Sequence, residues 1–490
     1  MNKIISYLFY LFAILSALTF HSFWRDELQA LSIVNASHSI IELLYNSRFE
    51  GHPIGWFLFL KIFTFISKET YILTLVNFIF AALIGFIIIF KSPLKLWQSV
   101  LLLLGYYFIF EYGSISRNYL PSIFFLFAFC WAQSQKNKFW LSVFLLASAS
   151  QFNIYSAIIA IPLFIYFLFL KWKEFSATQK ITFIIIILIA ESISFYSCLP
   201  NNENTFSPLF FDAEFSLHHF ILSIETIWKG VFPIPDFLKL HFWNTNIFEN
   251  KHTLQAILSL LIIATCSIQF IKNKKLLLFF LITILFLFSF TFLQYIGNTR
   301  HSGFYFITIL IFYWLYLSHD ETKNESHFGF NALLISHFLM GVFFISKIIS
   351  VPFSNAGNAA AYIQQYLPKY TICGATDDAT SAIAGQLQQP IIFLNNFKKN
   401  TFVEWNNDRT YPSDSLLKEK ILQLKQREKK LILVLNYPVQ FNQNYELKKM
   451  YLQHATIYSH DSTINAKIIF QQSFSNAFVE DENYDVYLVE

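Results

Sequence analysis

Long apolar runs, separated by short polar turns, fill residues 1–350. Runs able to cross a bilayer fall near 4–23, 71–90, 97–110, 119–134, 139–150, 152–170, 181–198, 255–271, 276–293, 303–318 and 329–349. Several fall short of the roughly 20 residues a spanning helix needs, so their ends extend into the flanking polar residues. A further run at 54–67 has the length at which interfacial segments are common. Lys3 followed by Ile4–Phe20 has the charge pattern of a secretory leader. No small-x-small site follows it, and the chain passes directly into His21-Ser22-Phe23-Trp24, so the segment reads as a retained first transmembrane helix.

Basic residues test the spans. Clusters stand at Lys91/Lys95, Lys136/Lys138, Lys171/Lys173/Lys180 and Lys272/Lys274/Lys275. If all are cytoplasmic, loops 111–118, 150–153, 199–254 and 294–302 are external, as is the chain after Ser350. With the N-terminus inside, 54–67 dips into the outer leaflet or lies along it, giving about 11 crossings. The alternative is a full crossing at 54–67 with one long helix over 139–170, which moves Arg117 inside. Residues 351–490 lose the long apolar runs and gain charge. A helix over Ala359–Leu367, strands at Thr371–Cys373, Pro390–Leu394 and Leu431–Leu435, and helices opening at Thr376 and at Ser413 predict a small α/β domain. It carries no glycine fingerprint for a nucleotide or phosphate, and its plainer reading is a structural or acceptor-positioning cap.

The expected fold is thus a polytopic α-helical membrane domain, 1–350, with interfacial helices in its first external loop (24–70) and a large external loop at 199–254, followed by an α/β soluble domain, 351–490. Composition agrees: 55% of the 490 residues are hydrophobic, 60 are Phe, and only 13% are charged, against about 25% in soluble domains. The formal charge of +4 is small and spread along the chain, which argues against a nucleic-acid partner. Cys130, Cys198, Cys266 and Cys373 form no CxxC pair, and the first three lie in or beside apolar runs, so neither a disulfide framework nor a zinc site is expected.

Polar side chains gather on the predicted outer face. Trp24-Arg25-Asp26-Glu27 follows the first helix, and Arg48-Phe49-Glu50-Gly51-His52-Pro53 precedes the 54–67 run. Amphipathic segments lie between the two clusters, as in a site at the bilayer surface. The plainer reading of the acidic pair is a helix first turn, where carboxylates are favoured. Arg117 and Arg300-His301 lie in external turns, against the charge bias, and suit phosphate because a guanidinium makes paired hydrogen bonds. Snorkelling at the interface is their plainer role. Glu191 sits within the run 181–198, where it either works or pairs with a neighbouring helix. Gln151 and Asn153, at a short external turn, either contact a substrate or end helices. His218-His219 is a poor zinc signature, since adjacent residues do not share a helix face. The aromatic residues of 199–254 suit lipid headgroups better than stacking on a substrate ring.

An acidic pair directly after the first transmembrane helix, then Gly51-His52-Pro53 ahead of an aromatic apolar segment, resembles the C-type-fold (GT-C) glycosyltransferases, among them the lipid A aminoarabinose transferases and protein O-mannosyltransferases. The resemblance spans residues 1–320; it is strongest at 24–60 and weaker at Arg117-Asn118-Tyr119 and Arg300-His301. Many members carry a second proline where this chain has Ile54. The resemblance implies a polyprenyl-phosphate sugar donor and a glycan, lipid or protein hydroxyl acceptor at a bacterial inner membrane, with the tail domain periplasmic. It makes Asp26 the catalytic carboxylate and His52 a lipid-phosphate residue, with Arg117, Tyr119, Arg300 and His301 as further phosphate or sugar contacts. Glu27 is left to orient the acceptor, help Asp26 hold a divalent cation (Mg or Mn), or cap its helix. A lipid-linked-glycan flippase predicts inverted repeats and midplane charges, and an envelope scaffold predicts a dispensable Asp26.

Overall fold

The computed structural model describes residues 2–135, 138–199, 216–239, 241–318, 328–409, 413–437, 454–458 and 465–490. Lys136 and residues 200–215 and 240 of the large loop, on which sequence expectations fell, lie outside them. The helices, in chain order, are α1 (Lys3–Phe20), α2 (Arg25–Ala36), α3 (Ile40–Asn46), α4 (Gly55–Phe63), α5 (Tyr71–Phe86), α6 (Leu96–Leu103), α7 (Tyr119–Gln133), α8 (Phe139–Phe152), α9 (Ile154–Lys171), α10 (Ala177–Cys198), α11 (Leu217–Val231), α12 (His252–Phe270), α13 (Lys274–Leu293), α14 (Thr299–Leu317) and α15 (Phe328–Ser350). Among the described residues, seven helical segments are long and apolar enough to cross a membrane: those starting at Lys3, Tyr71, Ile154, Ala177, His252, Lys274 and Phe328. Their ends follow side-chain chemistry, with Asn2, Asn153, Ser176 and Asn273 accepting backbone N–H groups at four N-termini. Buried α14 packs on α7, α9, α11 and α13 at the centre of the bundle.

Four sequence expectations resolve here. The run 54–67 forms only the nine-residue α4, too short to cross. No single helix forms over 139–170, because α8 and α9 break at Asn153, whose backbone is extended (φ −150°, ψ 136°). The run 97–110 is not one helix either; α6 stops at Leu103 and a π-helical turn resumes at Tyr107. α15 packs against this break: a Cβ at its Gly341 would lie 2.1 Å from the Leu104 carbonyl oxygen. Finally, the 199–254 loop contains α11, which packs between α12 and α14. Its polar face hides it from a search for apolar runs: Glu225 accepts from Lys229 (2.6 Å) and bonds His252 (2.8 Å).

The tail domain adds helices α16 (Ala356–Tyr366), α17 (Asp377–Leu387) and α18 (Asp414–Arg427) and strands β1 (Thr371–Gly374), β2 (Ile391–Phe393), β3 (Lys398–Asn400), β4 (Leu431–Leu435), β5 (His454–Tyr458), β6 (Asn465–Phe474) and β7 (Tyr484–Val489). The strands form one sheet in the order β3-β2-β1-β4-β7-β6-β5. β1 pairs in parallel with β2 and β4, and the remaining pairs are antiparallel. The expected α/β character holds, with a C-terminal antiparallel half that the apolar pattern did not announce.

This domain sits directly on the polar end of the bundle. α17 lies on α2 so closely that a Cβ at Gly385 would meet Leu28 Cβ at 2.9 Å. Gln29 pairs with Val403 in both directions, its Nε2 donating to the carbonyl (2.8 Å) and its Oε1 accepting the N–H (2.9 Å). Arg25 donates to Asp481 (2.5 Å), and its backbone N–H to buried Glu482 (2.9 Å). Burial pushes the Glu482 carboxyl up to about 8, against the opposing pull of Arg25 and a hydrogen bond from Ser354. A raised folded-state value contributes stability that is complete below pH 4.5, the ordinary carboxyl value, and is lost as pH rises towards 8. The melting temperature is therefore expected to fall between pH 5 and pH 8, and Glu482→Gln to remove a few degrees of that fall. Calorimetry of both proteins across that window checks it.

Candidate functional site

The corner between α1 and α2 places the acidic pair. α2 starts at Arg25, and its first turn carries both Asp26 and Glu27. Successive helical residues point about 100° apart, so the two carboxylates serve different surroundings. Glu27 is fully buried and turns inward. One of its oxygens bonds His21 Nε2 (2.7 Å) and accepts the Trp24 N–H (3.2 Å), and the other accepts the Ser116 N–H (2.6 Å). Of the roles left open for Glu27, its contacts show the cap, extended into a clamp on the 112–118 loop. That loop is tied again by Asn77, which donates to the Tyr112 and Gly113 carbonyls (3.2 and 2.5 Å), and by Asn118, which donates to the Phe152 carbonyl (2.8 Å). Because Glu27 holds Ser116, the next residue on each side meets as well, and Arg117 ion-pairs with Asp26.

Asp26 Oδ2 also accepts from Arg300 Nη2 (3.1 Å). Arg117 Nη2 donates to His52 Nε2 (2.9 Å), which fixes the His52 proton on Nδ1 because a guanidinium can only donate. Asp26, His52, Arg117 and Arg300 thus form one bonded chain. His301 Nδ1 accepts the Asn298 N–H (3.0 Å), and its Nε2 lies 3.0 Å from the Tyr119 hydroxyl, so Tyr119 stands behind His301. Burial alone would raise the Asp26 carboxyl, but Arg117, Arg300 and Arg25 together hold it below the usual range. Burial, reinforced by Arg117, pushes His52 down to about 3, so it is neutral at physiological pH. Two nitrogens of Arg300, Nε and Nη1, are buried and have no acceptor among the described residues. The guanidinium lies over Trp24 and Trp243, 5.1 and 5.9 Å from the ring centres.

These groups line a cavity of about 490 Å³. Arg25, Asp26, Glu50, His52, Arg117, Arg300 and His301 form its polar part. Ile154, Phe195, Leu199 and Phe290, from the ends of membrane-facing helices, form an apolar wall. Asp378, Ser381, Val403 and Trp405 of the tail domain close it from the other side. Glu27 and Tyr119 are not among the lining residues.

No protein-family model, curated protein or solved structure matches the chain.

Glu191 accepts from Ser150 (2.6 Å) and Gln151 donates to the Ala190 carbonyl (2.8 Å), so both join α8 to α10. Asn153 caps α9 and also lines the cavity. His219 bonds the Phe292 carbonyl (2.8 Å). Trp243 of the large loop donates to Glu111 (3.0 Å) and packs on Trp24, so this aromatic residue supports the site from within. Two polar residues had drawn no assignment. Glu50 accepts from Gln29 Nε2 (2.7 Å), and burial pushes its carboxyl up to about 7. Glu50 was visible only as part of a polar cluster, and Gln29 carried no signal. The two carboxylates named for a divalent cation, Asp26 and Glu27, face different surroundings. Asp26 Oδ2 takes two arginines, Glu27 is fully engaged elsewhere, and no group of three or more His, Cys, Asp or Glu is placed to hold a metal among the described residues.

Proposed function

We propose that this chain is an inverting membrane glycosyltransferase that moves a sugar from a polyprenyl-phosphate carrier to a hydroxyl of the cell envelope. Arg300 carries the argument: a guanidinium with two buried donors unpartnered among the described residues, beside Arg117, in a cavity with an apolar wall at the membrane helices. An anionic head on a long apolar tail meets both requirements at once. Sidedness agrees with an extracytoplasmic site. Ser116 bonds Leu73 at one end of the α5 segment, whereas Lys91 closes the other, so the site lies away from the basic cluster that the charge bias assigns to the cytoplasm. A bacterial inner membrane with a periplasmic tail domain is the matching location.

In the reaction, an acceptor oxygen attacks the anomeric carbon from the face opposite the phosphate. The bond from that carbon to the phosphate oxygen breaks, and its electron pair leaves with the phosphate. Arg117 and Arg300 take up the growing negative charge. The acceptor proton passes to Asp26. In the resting site, Asp26 is a poor base because the arginines hold its proton affinity down. The arriving phosphate competes for those same donors, and a carboxylate that loses them beside a new anion binds a proton more readily. His52, neutral and bonded to Arg117, holds that guanidinium in place.

Arg117→Ala combined with Arg300→Ala is expected to weaken binding of undecaprenyl phosphate, measured by native mass spectrometry in detergent, by at least about 100-fold, since charge-assisted bonds to phosphate are the strong ones. Undiminished binding by the folded double variant would remove the phosphate assignment.

A further inference from the structure

The tail-domain wall of the cavity has a chemistry the donor does not use. β1 runs through α17 to β2 on one side, while β4 lies on its other side. Ligands of such sheets bind where the strand order reverses, beyond the carboxyl ends of the strands. Here that end carries the start of α17, and α17 packs on α2 of the membrane domain. Asp378 and Ser381 of α17 face the cavity, as does Trp405 from the segment after β3. The indole is held on the Arg409 guanidinium, 4.3 Å away, and Arg409 is itself fixed by two 2.8 Å bonds to fully buried Asp377. Glu50 lies on the membrane-domain side of the same cavity.

We propose that Asp378, Ser381 and Trp405, with Glu50 across the cavity, form an acceptor subsite for a neutral sugar ring. The inference rests on the glycosyltransferase reading and names its acceptor class. Carboxylates and a serine match the hydroxyls of a sugar, and an indole matches its C–H face. The arginines that line the cavity are gathered around Asp26, and Arg409 beneath Trp405 is engaged by Asp377 and Asp378, so the tail wall disfavours a second phosphate. An extended peptide would ask for exposed backbone pairing, yet both backbone polar groups of Val403, the other wall residue here, are taken by Gln29.

The test is saturation-transfer NMR on the full-length protein in nanodiscs, using the methyl glycosides of glucose, galactose, mannose, rhamnose and N-acetylglucosamine as probes. At least one should receive saturation. Trp405→Ala and Asp378→Asn should each cut that signal roughly five-fold. Trp405→Phe should retain most of it. Melting curves of each variant separate lost binding from lost folding, and Trp405→Phe keeps an aromatic plate against Arg409. No saturation of any probe, saturation indifferent to Trp405→Ala in a folded protein, or saturation of a Ser/Thr peptide in place of the sugars would overturn the subsite. Undecaprenyl phosphate binding, measured on the same samples, reports separately on the donor reading. If the carrier binds and no sugar does, the subsite fails and the transferase reading stands. If sugars bind in a Trp405-dependent way and the carrier does not, the subsite stands as a sugar site and the transferase reading fails.

Discussion

Asp26→Asn is expected to fold and to lose about 10²–10⁴-fold in sugar-transfer turnover, the range general-base catalysis contributes. Asparagine keeps the size of the side chain and an oxygen for one arginine, but it cannot take the acceptor proton. It also leaves Arg117 and Arg300 without their shared counter-charge. Binding of the carrier phosphate should therefore hold or tighten while turnover collapses. A structural role alone would lower both together. Turnover and carrier affinity measured on the same purified variant separate the two cases, and wild-type turnover would remove Asp26 from the chemistry.

Glu27→Ala, one residue along, should fail in the opposite way. It removes the acceptor for His21, for the Trp24 N–H and for the Ser116 N–H at a fully buried position. Losing one partner from a buried, charged network typically costs about 3–5 kcal/mol. Most of the protein is expected to misfold or be degraded, with the melting temperature of the remainder lowered by several degrees. Glu27→Gln, which retains an acceptor for the Ser116 N–H, should recover much of the folded yield with near-normal turnover. A folded, stable but inactive Glu27→Gln would instead place Glu27 in the chemistry.

The contrast between these neighbours shows what a linear reading can and cannot supply. The acidic pair was visible at once, because carboxylates beside an apolar run are costly and rare. Which of the two faces the cavity depends on how α1 turns into α2 and on where Ser116 sits, 89 residues away. Arg117 and Arg300 stood out for a local reason, being cations on a face that the charge bias leaves poor in them. The long apolar runs were legible because lipid demands apolar surface along a whole helix. α11 was not, because it lies among other helices and needs no continuous apolar run. Gln29 and Val403 are 374 residues apart and carry no shared pattern, so the tail domain's share of the cavity could not be read in advance. The sequence put the chemistry in the outer loops with the tail domain as a cap; which tail residues close the cavity emerges only from the fold.

The most direct measurement uses the purified full-length protein in liposomes with a radiolabelled sugar on undecaprenyl phosphate, and follows the label into a delipidated envelope glycan. Wild-type protein is expected to form a water-soluble labelled glycan with the anomeric configuration inverted, and Asp26→Asn almost none. Label that crosses the bilayer while still attached to its carrier, with none appearing in the glycan, would show transport in place of transfer and contradict the account.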